Sequence, residues 1–207
     1  MVIFIDKVRK DWKTPMGQVI FKDIIVAMIS YLPLALIIGI IWVAIYCVLY
    51  NLINIDKDLV SRMKGLDIKI LVCVFILIIY IVFIIAITLL SRESGSRTQV
   101  NLKLFGTLTH DIYGNAYVVE NIILFIPLGM LLPLLSSKFE SYQFCLISGL
   151  FASIIIEVTQ YITKRGYLQT DDIIMNVLGT VVGFFIYNIL KVILKALVRL
   201  NDSSNKT

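Results

Sequence analysis

Residues 70–90 read ILVCVFILIIYIVFIIAITLL, without one charged side chain. At 1.5 Å per residue, a helix of that length reaches roughly 31 Å, which matches the ~30 Å hydrocarbon core of a bilayer. The run is continuously apolar and does not alternate with period two, so it reads as a membrane-crossing α-helix and not as a barrel strand. Four more runs follow the same rule. Ile24–Tyr50 lies between Lys22-Asp23 and Asp56-Lys57-Asp58. Val118–Leu135 carries Glu120 near its start, and Tyr142–Thr163 contains Glu157 and Gln160. Ile173–Leu190 has Asn176 near its entrance and Lys191 at its exit. The first run is long enough to tilt, and Pro33 is placed to kink it. Pro127 and Pro133 predict a bent or partly unwound third span, a break tolerated where neighbours or water satisfy the freed carbonyls. The first two spans read as plain lipid-facing helices.

Composition agrees with that reading. Of 207 residues 59% are hydrophobic and 16% charged, with a mean hydropathy of +0.91. Soluble chains carry about 25% charged residues, and a soluble fold of this size could not hide so much apolar surface. The fold class is therefore all-α: a polytopic integral membrane bundle of about five transmembrane helices. The chain divides into an interfacial segment at 1–23, an extra span and loop at 24–69, a main transmembrane domain at 70–190, and a basic helix end with polar tail at 191–207. The first segment mixes both charge signs and lacks a small-residue cleavage site, so it does not read as a signal peptide. Ile3, Phe4, Val8 and Trp12 suit one face of a surface helix.

Several chemistries are excluded early. Cys47, Cys73 and Cys145 stand singly in apolar runs, which fits buried structural cysteine and neither a disulfide framework nor a zinc site. His110 is the single histidine, so paired-histidine catalysis and histidine-rich metal sites are out. No Walker A, GxGxxG, heptad or internal repeat is present. The net charge of +5 is spread around the span ends, where it fits anionic lipid head groups and not nucleic acid. Five spans put the termini on opposite sides, and the two sides hold ten and nine of the 19 Lys and Arg residues. The positive-inside rule then decides nothing. Lys191, Lys195 and Arg199 recur every four residues as one cationic stripe, suited to an anionic leaflet or to simple snorkelling.

The informative residues are polar ones in the last three spans. Gly149, Ser153, Glu157, Gln160 and Lys164 share one helical face of the fourth span. Glu157 lies six residues before Thr163, roughly 9 Å inside the helix end. A carboxylate at that depth costs several kcal/mol unless paired, protonated or hydrated, and its default reading is a functional site. Asp172, Asn176, Gly179, Gly183 and Tyr187 make a matching face on the fifth span. Each has a plainer alternative. Gly179 and Gly183 form a GxxxG whose main use is close helix packing. Asp171 and Asp172 suit a helix N-terminus, and Asn176 suits an interhelical hydrogen bond. A purely structural Glu157 would still need a cation from Arg92, Arg97, Lys164 or Arg165, all bordering the face that holds Asp171 and Asp172.

Taken in order, these residues resemble the VanZ-like family. Arg92 followed by Asn101-Leu102-Lys103-Leu104-Phe105 resembles its R…NLxPF segment. Glu120-Asn121 through Phe125, Pro127 and Gly129 resembles E/D-N-x-x-x-F-x-P-x-G. Ile156-Glu157 to Gln160 resembles I/F-E-x-x-Q. Arg165-Gly166, Asp171-Asp172, Asn176 and Gly179 resemble R-G-x…D-D-x-x-x-N-x-x-G. The four blocks span roughly residues 88–190. Leu104 replaces the proline of NLxPF, Gln169 stands at a position often acidic in the family, and residues 1–60 add a span beyond its shorter members.

The resemblance implies a link to low-level resistance to teicoplanin, a lipid-tailed glycopeptide, at the cell membrane, with the polar face outside and the basic C-terminus inside. No settled chemistry accompanies the family, so three classes of function stand open. One is a non-enzymatic membrane protein that binds an envelope lipid or amphiphile and limits drug access. Its ligand-binding residues would be Glu157, Gln160, Asp171, Asp172 and Asn176, with Asn101, Asn121, Arg92 and Arg165 nearby; arginine suits phosphate. The second is an enzyme acting on a lipid-linked precursor, with Glu157 or Asp172 as acid or base. The third is a lipid transporter or flippase using Glu157 as a protonatable site. No metal site or cofactor is expected, a divalent cation at Glu157 and Asp172 being the one option. Oligomeric state is not legible in the residues.

Overall fold

A helix is the form in which a run such as 70–90 satisfies its own backbone inside hydrocarbon, and among its described residues the computed structural model has five helices long and apolar enough to cross a membrane. It describes residues 21–53, 68–90, 95, 100–101, 103–104 and 112–204. A π-helical turn, Phe21–Val26, leads into α1, Ala27–Ile53. α2, Ile68–Ile85, ends in a second π-helical turn, Ala86–Leu90. α3 is Ile112–Leu135, α4 is Tyr142–Ile162 and α5 is Thr170–Ser204. A 3-10 turn, Ser137–Glu140, joins α3 to α4. Two-residue strands, β1 (Val100–Asn101) and β2 (Leu168–Gln169), pair in parallel with Val100 opposite Leu168. The N-terminal surface helix expected around Trp12 lies outside the described residues.

The third span is not unwound at its prolines. α3 is one helix with Pro127 and Pro133 inside it, as α1 is with Pro33. Proline removes one N–H from the ladder and pushes the preceding turn aside. Here the Tyr80 hydroxyl on α2 donates to the Leu124 carbonyl of that turn at 2.9 Å, so a neighbouring helix steadies the weakened backbone. The fifth span is also longer than its uncharged run. It continues as helix through Ser204, well past Leu190.

α3 and α5 make the most extensive contact of any pair, and it is a contact of backbones. A Cβ at Gly179 would strike the Ile122 carbonyl, one at Gly183 the Ile126 carbonyl, and one at Gly129 the Thr180 carbonyl. The GxxxG spacing is therefore used for close packing, and it fixes α3 and α5 parallel and in register. α4 crosses α5 in the opposite direction. Gly149 sits on the Thr180 side chain, and Asn176 Nδ2 donates to Ser153 Oγ at 2.9 Å. Tyr80, Ile84, Leu124, Phe125, Leu128 and Phe184 belong to one apolar core linking α2, α3 and α5. Cys145 is buried there, whereas Cys47 and Cys73 are only half-buried, which corrects the expectation for those two; all three are free thiols. The outward faces stay apolar, with Ile40, Trp42, Phe151 and Ile162 all exposed.

At the end of the bundle formed by the 3-10 turn, Lys191 Nζ lies 2.6 Å from Glu140 Oε1 and the Tyr187 hydroxyl donates to the same oxygen at 3.1 Å. Lys191, and then Tyr187, hold the Glu140 carboxyl below the usual carboxylate range. A depressed carboxylate adds stability above its unfolded pKa and loses it as pH falls through its folded one. The pair is exposed and screened by salt, so the contribution is small. The acid-induced fall in unfolding temperature should be smaller in Glu140→Gln than in wild type, and high salt should shrink the difference. A larger effect is expected at the helix crossing. Gly183→Val should lose about 1–3 kcal/mol or more through overpacking against fixed backbone, read as loss of the monodisperse peak in detergent. Gly39→Ala should cost less, because its obstacle is the movable Phe75 ring.

Candidate functional site

α4 ends in a turn that the sequence makes without glycine. Arg165 N–H bonds to the Gln160 carbonyl at 2.9 Å and Lys164 N–H to the Tyr161 carbonyl at 3.1 Å, the paired bonds of a Schellman cap. Lys164 occupies the left-handed position with φ 56°, a conformation that costs an L-residue roughly 1–2 kcal/mol. The cap folds the chain back on itself. It aims Arg165 at α2, where Nη1 donates to the Leu89 carbonyl at 2.7 Å. Gln160 Nε2 donates to the adjacent Thr88 carbonyl at 3.1 Å. Both acceptors belong to the π-helical turn, whose last carbonyls have no partner within the helix. The second span is therefore not merely lipid-facing, since its final turn closes one side of the site through backbone atoms.

The same chain reversal brings β2 beside α4. Gln169 N–H donates to Glu157 Oε2 at 3.1 Å, so the position that lacks the expected carboxylate contributes a backbone donor. Asn101 is paired with Gln169 across β1 and β2, which carries it to the site. Its Oδ1 accepts from Lys103 N–H at 3.2 Å and so also shapes its own turn. Gly95 N–H bonds to the Lys164 carbonyl at 3.0 Å, which holds Gly95 on the cap.

Register sets the depth of the remaining residues. Gly149 against Thr180 and Ser153 against Asn176 place Glu157 level with Asp172, near the start of α5. Glu157 and Asp171 are each 2% exposed and Asn176 is 3% exposed, whereas Asp172 is half-buried. The more deeply held of the two aspartates is thus Asp171, although helical spacing puts Asp172 on the face of Asn176. Asn176 continues the polar column downward, because Thr180 Oγ1 donates to its carbonyl at 3.1 Å. Asn121 is half-buried on α3. Arg92, Arg97 and His110 lie outside the described residues.

Glu120 was not among the expected binding residues, yet it is 2% exposed. The parallel register of α3 and α5 puts it at about the depth of Asn176. Its signal was its place inside an otherwise uncharged run, the criterion that singled out Glu157. Ser153 and Thr180, both fully buried, belong to the same interior. The two carbonyls of α2 had no side-chain signal at all. Among the described residues, no group of three or more His, Cys, Asp or Glu is placed to hold a metal ion. Three helices, a two-strand rim and one helix end thus enclose buried carboxylates, amides and hydroxyls at one end of the bundle.

Comparison with known proteins gives one family match. The sequence profile of VanZ/LLP1 matches residues 71–191. The chain belongs to the VanZ/LLP1 family. The matched stretch runs from Leu71 in α2 to Lys191 in α5, so it includes every site residue described above and leaves α1 outside. With five apolar helices of spanning length, this VanZ/LLP1 member is a multi-pass membrane protein. No curated protein and no solved structure gives a match.

The clamps to α2 are testable. Hydrogen bonds from charged donors contribute about 1.5–3 kcal/mol and neutral ones about 0.5–1.5. Arg165→Ala should therefore lower the unfolding temperature in detergent more than Gln160→Ala, with Arg165→Lys between them. Equal melting of all four proteins would show that the clamps carry no stability.

Proposed function

We propose that this VanZ/LLP1 protein binds the head group of an envelope lipid or other amphiphile at the polar end of α3, α4 and α5, and that this binding limits access of lipid-tailed glycopeptides such as teicoplanin to their targets. The observation that carries the reading is the buried Glu157, level with Asp172 and followed inward by Asn176 and Ser153. Acidic and amide groups kept at that depth in a membrane helix mark a ligand or ion site by default. Arg165 at the rim adds a planar donor suited to phosphate or carboxylate. Apolar helix faces on either side let an acyl tail stay in the bilayer while its head group enters. Such a role belongs at the cell membrane with the polar end outside, where lipid-linked wall precursors and the drug meet.

The placement of Glu157 and Asp172 at one level favours a second reading, general acid and base catalysis on a lipid-linked precursor. Substitution separates the two. Glu157→Gln keeps an oxygen that can accept the Gln169 N–H and removes only the charge and basicity. In cells whose lipoglycopeptide resistance depends on the protein, a binder should lose part of that resistance in Glu157→Gln and in Asp172→Asn. An enzyme or a proton-coupled transporter should lose all of it in Glu157→Gln, with surface expression unchanged. Unaltered drug sensitivity in both variants would remove the support for a site here.

A further inference from the structure

The opposite end of the molecule carries a feature that the polar site does not use. α3 and α4 meet at the 3-10 turn, where Glu140 binds Lys191. α5 continues beyond that point, and every residue from Val192 to Asn201 is exposed. At 1.5 Å per residue this is roughly 15 Å of helix standing clear of the bundle. Most of it is apolar, with Val192 67% exposed, Leu194 61% and Leu200 66%. Water is an unfavourable environment for that surface, at about 25 cal/mol per Å² of apolar area. Through the apolar surface runs one line of charge, because Lys191, Lys195 and Arg199 are spaced by four and lie on one side of the helix.

We infer that residues Lys191–Leu200 of α5 form a binding segment for anionic phospholipid, with the cationic stripe on the phosphates and the apolar flanks in the acyl boundary. A helix with a basic line and apolar flanks has the composition of an interfacial helix, and each Lys or Arg near an anionic leaflet adds attraction. Charge also argues against a second copy on this face. In either orientation two copies would set like charges against each other, and Glu140, the acid beside the stripe, already serves Lys191 of its own chain. The inference stands apart from the proposed function, since it uses no residue of the polar site. It predicts which way the chain lies: an anionic inner leaflet at this end puts the carboxylate-lined end outside.

The test uses the full-length protein purified in detergent with equal amounts of phosphatidylglycerol and phosphatidylcholine, and native mass spectrometry to read which lipid stays bound. Wild type should retain phosphatidylglycerol preferentially. Each neutralised cation should reduce that preference about five-fold, the equivalent of roughly 1 kcal/mol per basic residue. Lys195→Gln/Arg199→Gln should therefore lose most of it while melting at the wild-type temperature in phosphatidylcholine alone. Both positions are exposed, so misfolding is not expected. An undiminished preference in the double variant would overturn the inference. So would a variant that changes only the oligomeric state by size exclusion, which would assign the face to a second copy.

Discussion

The contact of α3 with α5 through Gly129, Gly179 and Gly183 is the constraint on which the rest of the molecule depends. In lipid there is little hydrophobic force between helices, so association depends on close packing and on hydrogen bonds between them. Removing three side chains at one crossing lets two backbones touch, and touching backbones permit only one register. That register places Glu120 at the depth of Asn176. It also fixes where α4 must cross, because Thr180, wedged between the two glycines of α5, is the residue on which Gly149 rests. From the crossing of α4 it follows that Glu157 reaches the level of the Asp171–Asp172 helix start.

Around this rigid pair the site is finished by backbone groups as much as by side chains. Carbonyls of Thr88 and Leu89, the amide of Gln169 and the reversed cap at Lys164 all take part. In water such groups would simply be hydrated. Inside a membrane each unsatisfied one costs several kcal/mol, so the donors Gln160 and Arg165 are needed to let α2 end where it does. The hydrogen bonds of Gln160, Asn176 and Thr180 tie this polar interior together, and bonded buried polar groups rigidify a structure.

Much of this was legible in the chain and some was not. Apolar runs of membrane length located all five helices, because hydrocarbon thickness sets a length that sequence cannot evade. Helical spacing grouped Glu157 with Gln160 and Ser153, and the glycine pair at 179 and 183 declared its packing role. The family resemblance through Arg165, Asp171 and Asn176 agrees with the profile match over residues 71–191. What stayed hidden depended on partners far along the chain. Pro127 suggested an unwinding that is absent, and the Tyr80 hydroxyl from another helix donates into the turn before it. The ranking of Asp171 above Asp172 in burial reflects how α5 is rotated against its neighbours, which one helix read alone does not contain. The π-helical turn after Ile85 had no residue signature at all.

That turn has a topological consequence. A π-helical turn accommodates one residue more than an α-helical one, so it shifts the phase of the last residues of the second span relative to α2. Within it, the carbonyls of Thr88 and Leu89 meet Gln160 and Arg165; before it, Tyr80 reaches α3. Each residue of an α-helix turns the chain by about 100°. Deleting one position between 86 and 90 would therefore hardly shorten the span. It would instead rotate the carbonyls at the end of the span away from Gln160 and Arg165, while Tyr80 keeps its contact with α3.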